Sequence, residues 1–388
     1  MRLIPTEKVE PGTRLGRSVY DQTGRLILVA GVTLTRRYLE MLLKQGYTFL
    51  YVADSIDEVE LPETVRLDTR REVVRYVNDF ARCHTPGDVR QARGAFTSQM
   101  NPGMAASVRK AVDLLVNEIL SSREVVIGLV DIKSLHDHSF RHSVQVALMS
   151  IVVGKIMGLT RNELRELGTG TLLHDMGKLK IPDSIWNKKE ELTAEEIQQI
   201  KRHPQEGYGI LRNANVGLLA AHVAFQHHER YNGTGYPRGL VGEEIARYAR
   251  ICAVCDVFDA ITSDRPYKPA AHPCEALSFI QKNAGALFDP VVVEAFLALV
   301  APYPVATNVL LSTGEVAVVK RLNIQALARP VVMVTKNRER RFMAAFTEID
   351  LSKVDSVSIV DYVNWYDEAR HQTVRPYELS SCKRQSRA

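Results

Sequence analysis

Long uninterrupted apolar runs are missing from this sequence. The best stretch, Val144 to Leu159, is broken by Gln145, Ser150 and Lys155, and the opening MRLIPTEKVEPG has no apolar core of signal-peptide length, so neither a membrane span nor a secretion signal is expected. Cysteine is scarce and scattered. Cys83, Cys252, Cys255, Cys274 and Cys382 form an odd, widely spaced set in 388 residues, which excludes a disulfide framework and fits a reducing, cytoplasmic compartment. A dominant charge sign is also lacking: 50 Lys and Arg against 45 Asp and Glu leave +5, too slight and dispersed to predict nucleic-acid binding and only weakly favourable to an anionic small ligand. There is no internal repeat or low-complexity tract, and 23 Gly and 16 Pro in a chain that is 45% hydrophobic exclude collagen and wholesale disorder. What remains is a folded chain with length for two or three domains.

Its pattern changes along the chain. Residues 1–60 alternate short β-type runs (GRLILVAG, FLYV) with one helical segment, TLTRRYLEMLLKQG, which Thr33 or Thr35 can cap and Gly46 can end, predicting a small α+β accessory module. Residues 61–107 are polar, with a helical REVVRYVNDFARC and the breakers TPGD and SQMNPG, as in a helical linker. From 108 to 301 long helical periodicity dominates, as in VRKAVDLLVNEIL, HSVQVALMSIVVGKIMG and ARICAVCDVFDAITS, which predicts an all-α domain. Residues 302–370 alternate between apolar runs and turns and predict a small β-rich module; 371–388 form a basic tail.

Candidate chemistry is concentrated in the helical segment. His142, the pair His174 and Asp175, His203, the pair His227 and His228, and Asp256 are imidazole and carboxylate donors of the kind transition metals take, and their number suits a dinuclear site. Taken singly, each histidine reads better as a surface or hydrogen-bonded core residue. Taken together, the pairs follow the apolar runs TGTLL and LLAAHVAF, where polar side chains are costly without a common partner such as a metal.

The segments RHSVQVA, LLHDMGKLKIPD, KRHPQEGYGIL, QHHERYNGTGYPRGL and RICAVCDVFDAITSDRPYK, in this order over residues 130–300, resemble the HD-GYP family of the HD phosphohydrolase superfamily. The resemblance implies an HD-type helical domain and a metal-dependent phosphodiesterase that opens cyclic di-GMP, or a related cyclic dinucleotide such as cyclic GMP-AMP, to the linear dinucleotide and onward to GMP in some members. It places one metal on His142, His174, Asp175 and Asp256, with Asp175 bridging to a second metal on His203, His227 and His228. The expected ions are Fe or Mn, sharing a hydroxide nucleophile. Lys178 would face the scissile phosphate, and its i+4 spacing from His174 suggests the same helix face. Gly235, Tyr236 and Pro237, with Gly233 beside them, would form a loop that positions substrate or contacts a protein partner, for example a diguanylate cyclase. Arg265 and Lys268 would grip phosphates. Asp259, one turn beyond Asp256, belongs to the substrate-facing set or orients the ligand shell.

The chain departs from the family's pattern in places. His138 stands where the family carries Tyr or, in a trinuclear subset, Glu, so it is the candidate for a third ion; His136 replaces a common Asp. Cys252 and Cys255 form a CxxC inside an apolar helix and read as small hydrophobes, with no redox or zinc role. Finally, a non-catalytic cyclic-dinucleotide sensor and a mononucleotide-cleaving HD enzyme stand as alternatives, and a homodimer is compatible with the sequence.

Overall fold

The computed structural model describes residues 2–16, 18–20, 26–45, 47, 49–53, 65–82, 102–121, 138–186, 188, 191–263, 271–323 and 325–363. His136, Arg265, Lys268 and the basic tail lie outside the described residues.

The N-terminal module contains β1 (Arg2–Pro5), β2 (Arg14–Leu15), β3 (Val19–Tyr20), β4 (Leu26–Leu28), α1 (Arg36–Lys44) and β5 (Phe49–Ala53). β5 is flanked by β1 and β2 in an antiparallel sheet, and β3 pairs with β4. Of the two threonines expected to cap α1, Thr35 does so: its hydroxyl accepts from the Tyr38 backbone N–H, satisfying one of the amides that a helix start leaves unpaired. Leu15, Leu34, Leu42, Leu50 and Val52 close a small core of its own.

A much larger core joins the helices that follow. α2 (Leu67–Arg82) and α3 (Pro102–Ser121) pack on each other, and α2 supplies Val73, Val77 and Phe80 to the same interior as Val112 and Leu115 of α3. Next come α4 (His138–Ile156), α5 (Arg161–Leu172), the short α6 (Asp183–Trp186), α7 (Ala194–Ile200), α8 (His203–Asn213), α9 (Leu218–Gln226), α10 (Arg247–Thr262), α11 (Pro273–Lys282) and α12 (Pro290–Leu297). Their starts are written in the sequence. Thr160 with Glu163 and Thr193 with Glu196 form capping boxes at α5 and α7, and Asp289 caps α12 with Pro290 in the first turn.

Helices α4 and α10 form the centre. They pack on each other, and α5 and α9 cover them. α10 buries Ile251, Cys252, Val254, Cys255 and Phe258 and, on its other side, Ala249 and Ala253, and α4 likewise buries Val146, Leu148, Met149 and Val152 and, opposite, Ala147 and Ile151. A helix apolar all round has no solvent face, which is why both are central. Each such side chain contributes about 1.5–3 kcal/mol of burial. Cys252 and Cys255 are unpaired and buried, and burial pushes both thiols up, Cys255 to about 12, so the CxxC is packing.

Residues beyond 302 form a five-stranded antiparallel sheet of β6 (Asn308–Leu311), β7 (Val316–Arg321), β8 (Val331–Lys336), β9 (Phe342–Asp350) and β10 (Ile359–Tyr362), in the order β10-β6-β7-β8-β9. Val309, Leu311, Ala317, Val319, Val332 and Val334 alternate onto one face and fill its core. The sheet touches the helical domain at α11: the Tyr362 ring stacks on His272, centroids 3.9 Å apart and 10° from parallel, and its hydroxyl donates to Glu275. No described helix is long and apolar enough to cross a membrane.

Candidate metal centre

Three helix ends converge on one buried point. α5 and α9 stop at Leu172 and Gln226, and the pairs His174–Asp175 and His227–His228 occupy the turns just after them, so these pairs sit at helix C-termini and not within helices as the apolar runs before them suggested. α7 ends at Ile200, three residues before His203. The last carbonyls of a helix have no intrahelical partner. Here the rings take them: His174 Nδ1 lies 2.7 Å from Thr171 O, His203 Nδ1 2.7 Å from Ile200 O and His227 Nδ1 2.9 Å from Ala224 O. A carbonyl oxygen can only accept, so each Nδ1–H donates and each Nε2 turns an available lone pair toward the interior.

Those lone pairs face Asp175. Its Oδ2 lies 3.4 Å from His174 Nε2 and 3.8 Å from His142 Nε2, while its Oδ1 lies 3.6 Å from His203 Nε2 and 3.7 Å from His227 Nε2. Two donor groups result, one of His142, His174 and Asp175 and one of His203, His227 and His228, the ligand atoms of each within 4.8 Å of one another. Asp256 joins the first, its Oδ1 3.1 Å from His142 Nε2. The structure thus brings together all seven residues expected to hold metal.

The arrangement fits cations and is uncomfortable without them. His174 Nε2 and Asp175 Oδ1 are buried with no hydrogen-bond partner among the described residues. His203 Nε2 and His227 Nε2 face each other at 3.2 Å with a lone pair on each. Nitrogen and carboxylate donors of this number suit divalent transition ions.

The electrostatics follow from burial. It holds His174, His203 and His227 below the ordinary imidazole range and drives His228 down to about 3. Burial acts the same way on His142, but hydrogen bonds and charge from Asp256 and Asp259 outweigh it and raise this ring to about 10. Burial disfavours the Asp175 carboxylate, yet Lys178 and the surrounding rings pull it well below the usual range, as His142 does for Asp256. For the metal-free chain the sign is then fixed. Neutral His174, His203, His227 and His228 add stability that is complete above their unfolded value near pH ~6.5 and lost as pH falls below it. His142 acts oppositely, its share being complete below ~6.5 and lost as pH rises through about 10. The Tm of metal-free protein is therefore expected to drop between pH 7 and pH 4, and a flat Tm across that range would contradict the burial of neutral rings.

Lys178 reaches the site differently from its expected route. Residues 176–180 form a 3-10 turn, and the Lys178 ammonium donates to Asp175 Oδ2 at 2.5 Å across three residues, so no α-helical face is involved. Asp259 is 2% exposed, and its Oδ2 accepts from His142 Nδ1 at 2.6 Å. It therefore stands behind His142, where it can orient that ring. His138 begins α4 one turn before His142, and nothing further is described of its side chain.

The loop after the His pair is fixed by a residue that sequence reasoning missed. Glu229, 1% exposed, accepts from the backbone N–H of Arg238 at 2.8 Å and of Leu240 at 3.0 Å, which bends the segment around Gly235, Tyr236 and Pro237 back onto the site. An acid next to two histidines reads as another ligand, so its turn-bracing role gives no sequence signal. Tyr236 stacks on His228, centroids 4.8 Å apart at 25°. At Gly235 an added Cβ would lie 2.3 Å from Arg230 N, so the close backbone approach explains this glycine. Replacing Glu229 with Ala leaves two amides without their carboxylate and should lower stability by about 2–3 kcal/mol, read by thermal or denaturant unfolding. An unchanged midpoint would mean that the loop is held some other way.

Histidine and aspartate donors gathered at one point of an α-helical bundle mark a candidate metal-binding helical domain. Residues 126–292 match the HD domain family, and residues 308–371 match a KOW domain associated with HD domain. The central segment thus matches an HD domain, and its motifs are similar to those of the HD-GYP type. The chain is 40% identical over 224 residues to cyclic di-GMP phosphodiesterase PA4108 of Pseudomonas aeruginosa, covering 58% of this chain and 54% of that protein. It is 48% identical over 157 residues to the cyclic di-GMP phosphodiesterase response regulator RpfG of Xanthomonas campestris, 38% of this chain and 41% of that one. It is 32% identical over 189 residues to 3'3'-cGAMP-specific phosphodiesterase 2 of Vibrio cholerae, 48% and 36% respectively. The chain thus spans about half or less of the length of these relatives.

Proposed function

We propose that this chain is a metal-dependent phosphodiesterase that opens a cyclic dinucleotide, cyclic di-GMP before cyclic GMP-AMP, to its linear form. One observation carries the reading: the two oxygens of Asp175 face two separate groups of histidines, the placement of a carboxylate between two cations. In this reading residues 108–301 carry the chemistry, and the modules at 1–60 and 302–370 are accessory. Support from relatives is consistent, since those with the higher identities are named for cyclic di-GMP and one at 32% for cGAMP.

His142, His174, Asp256 and Asp175 Oδ2 would hold one ion, and His203, His227, His228 and Asp175 Oδ1 the other, with Fe or Mn suited to the nitrogen-rich donors. Bound there, the pair would supply Lewis acidity toward a phosphoryl oxygen and lower the pKa of water. The chain's own groups do the rest. Asp259 keeps the proton on His142 Nδ1, so Nε2 faces inward. The carbonyls of Thr171, Ile200 and Ala224 do the same for three further rings. Lys178, 29% exposed at the rim, carries the positive charge that an incoming phosphodiester meets beside Asp175. Arg265 and Lys268 are proposed to grip phosphates.

Anaerobic purification with elemental analysis, followed by incubation with cyclic di-GMP, cyclic GMP-AMP and cyclic di-AMP and chromatography of products, tests this. Linear dinucleotide from metal-loaded protein only is the expected result, and no turnover of any of the three would refute it. About two ions per chain are expected, the number that two donor groups hold. His138→Ala should change neither the count nor the rate, because an imidazole brings no charge to offset a third cation. A count near three that falls in that variant would move His138 into the shell.

A further inference from the structure

A cyclic dinucleotide carries two phosphodiesters, and the residues assigned above from the described structure account for one. Arg230 is placed for the other. It follows Glu229 directly, and its Nη1 donates to the backbone carbonyls of Glu229 at 3.2 Å and His227 at 3.5 Å, while the guanidinium lies 6.0 Å over the Phe288 ring. These contacts fix the group. They leave Nε and Nη2 with no protein acceptor and no carboxylate in ion-pair range among the described residues. A half-buried cation with no directly paired carboxylate is costly, and a bound anion would offset that cost. Its bond to the carbonyl of His227, a member of the second donor group, places it beside the metal centre, where Asp256, Tyr236 and Glu229 are the charged and ionisable groups that act on it.

A second cation lies on the same loop. Lys201 Nζ stands 5.6 Å over the ring of Tyr236, the residue stacked on His228, and has no carboxylate in ion-pair range among the described residues. Lys178 differs from both in being paired with Asp175. Among the described residues, positive charge beside the centre is therefore divided between one lysine paired with Asp175 and two cations near Tyr236 that no carboxylate approaches within ion-pair range.

We propose that Arg230, assisted by Lys201, binds the second, uncleaved phosphodiester of the substrate and so selects dinucleotides over substrates with a single phosphate. This rests on the function proposed above. Arginine suits the role because its planar fork can give two parallel N–H bonds to a phosphate, and Nε and Nη2 form such an edge.

The test compares two substrates on metal-loaded enzyme: cyclic di-GMP, with two phosphodiesters, and bis(p-nitrophenyl) phosphate, with one. Arg230→Gln should reduce the ratio of kcat/KM for cyclic di-GMP to that for bis(p-nitrophenyl) phosphate by about 10-fold or more, the lower end of what a charge-assisted hydrogen bond is worth, with the change in KM and not in metal content. Arg230→Lys should restore part of the ratio. Lys201→Gln, at a position partly open to solvent, should shift it in the same direction by a smaller factor, and this reading stands even where loss of Arg230 perturbs folding. Equal falls on both substrates, or an unchanged ratio in both glutamine variants, would overturn the inference while leaving the enzyme a cyclic-dinucleotide phosphodiesterase. Wild-type protein that cleaves bis(p-nitrophenyl) phosphate but not cyclic di-GMP, cyclic GMP-AMP or cyclic di-AMP would instead overturn the proposed function, and this inference with it.

Discussion

Asp175→Asn is expected to cost more than about 100-fold in phosphodiester hydrolysis, beyond the upper end of what a partner that merely orients a ligand costs. The carboxamide has nearly the same shape, so it fits the space between His174 and His203. It differs in charge and in donors. A neutral amide between two cations leaves their repulsion unscreened, and its NH2 meets the lone pairs of Nε2 atoms that lie 3.4 to 3.8 Å away. Metal content measured on the purified variant should fall together with the rate, while circular dichroism stays that of the wild type. Normal metal content with a normal rate would remove Asp175 from the centre of the site.

Gly177→Ala should produce the largest loss of stability. A Cβ built at Gly177 would stand 1.9 Å from the carbonyl oxygen of His203 and 2.6 Å from Gly207 N. Both are backbone atoms of the first turns of α8, so no side chain can swing away to make room. The methyl must push the 176–180 turn off α8, at a cost of at least about 3 kcal/mol, the upper end of overpacking. Since Asp175 and Lys178 sit on one side of this contact and His203 on the other, the two donor groups would separate as well. Poor soluble yield or a Tm many degrees lower is the expected observation. A variant with wild-type Tm would show that the close approach of the two segments is not required.

The helices of the central domain were legible from their apolar periodicity, and their starts from Thr160, Thr193 and Asp289. The seven donors were legible as a set from their motifs. Placement was not. The runs before His174 and His227 read as helix interior continuing through the pairs, and only tertiary packing decides that α5 and α9 stop first and offer carbonyls to the rings. The i+4 reading of Lys178 failed for the same reason, because the chain tightens into a 3-10 turn against Gly207. Asp259 was legible as one turn from Asp256, but a helix buried on every side does not reveal which neighbour an inward carboxylate meets. Glu229 and Arg230 carry no periodic signal at all. Their roles arise from a loop folding back on itself, which spacing cannot encode.

The stack of Tyr362 on His272 has a bearing on how this architecture can be recombined. His272 caps α11, and Glu275 in its first turn takes the Tyr362 hydroxyl, so the last described strand is fastened to the helix that follows the 264–270 segment. A chimera that grafts this bundle onto a different C-terminal unit would need an aromatic ring and a hydroxyl at the same seam. The bundle and the sheet thus share a seam that any graft would have to rebuild.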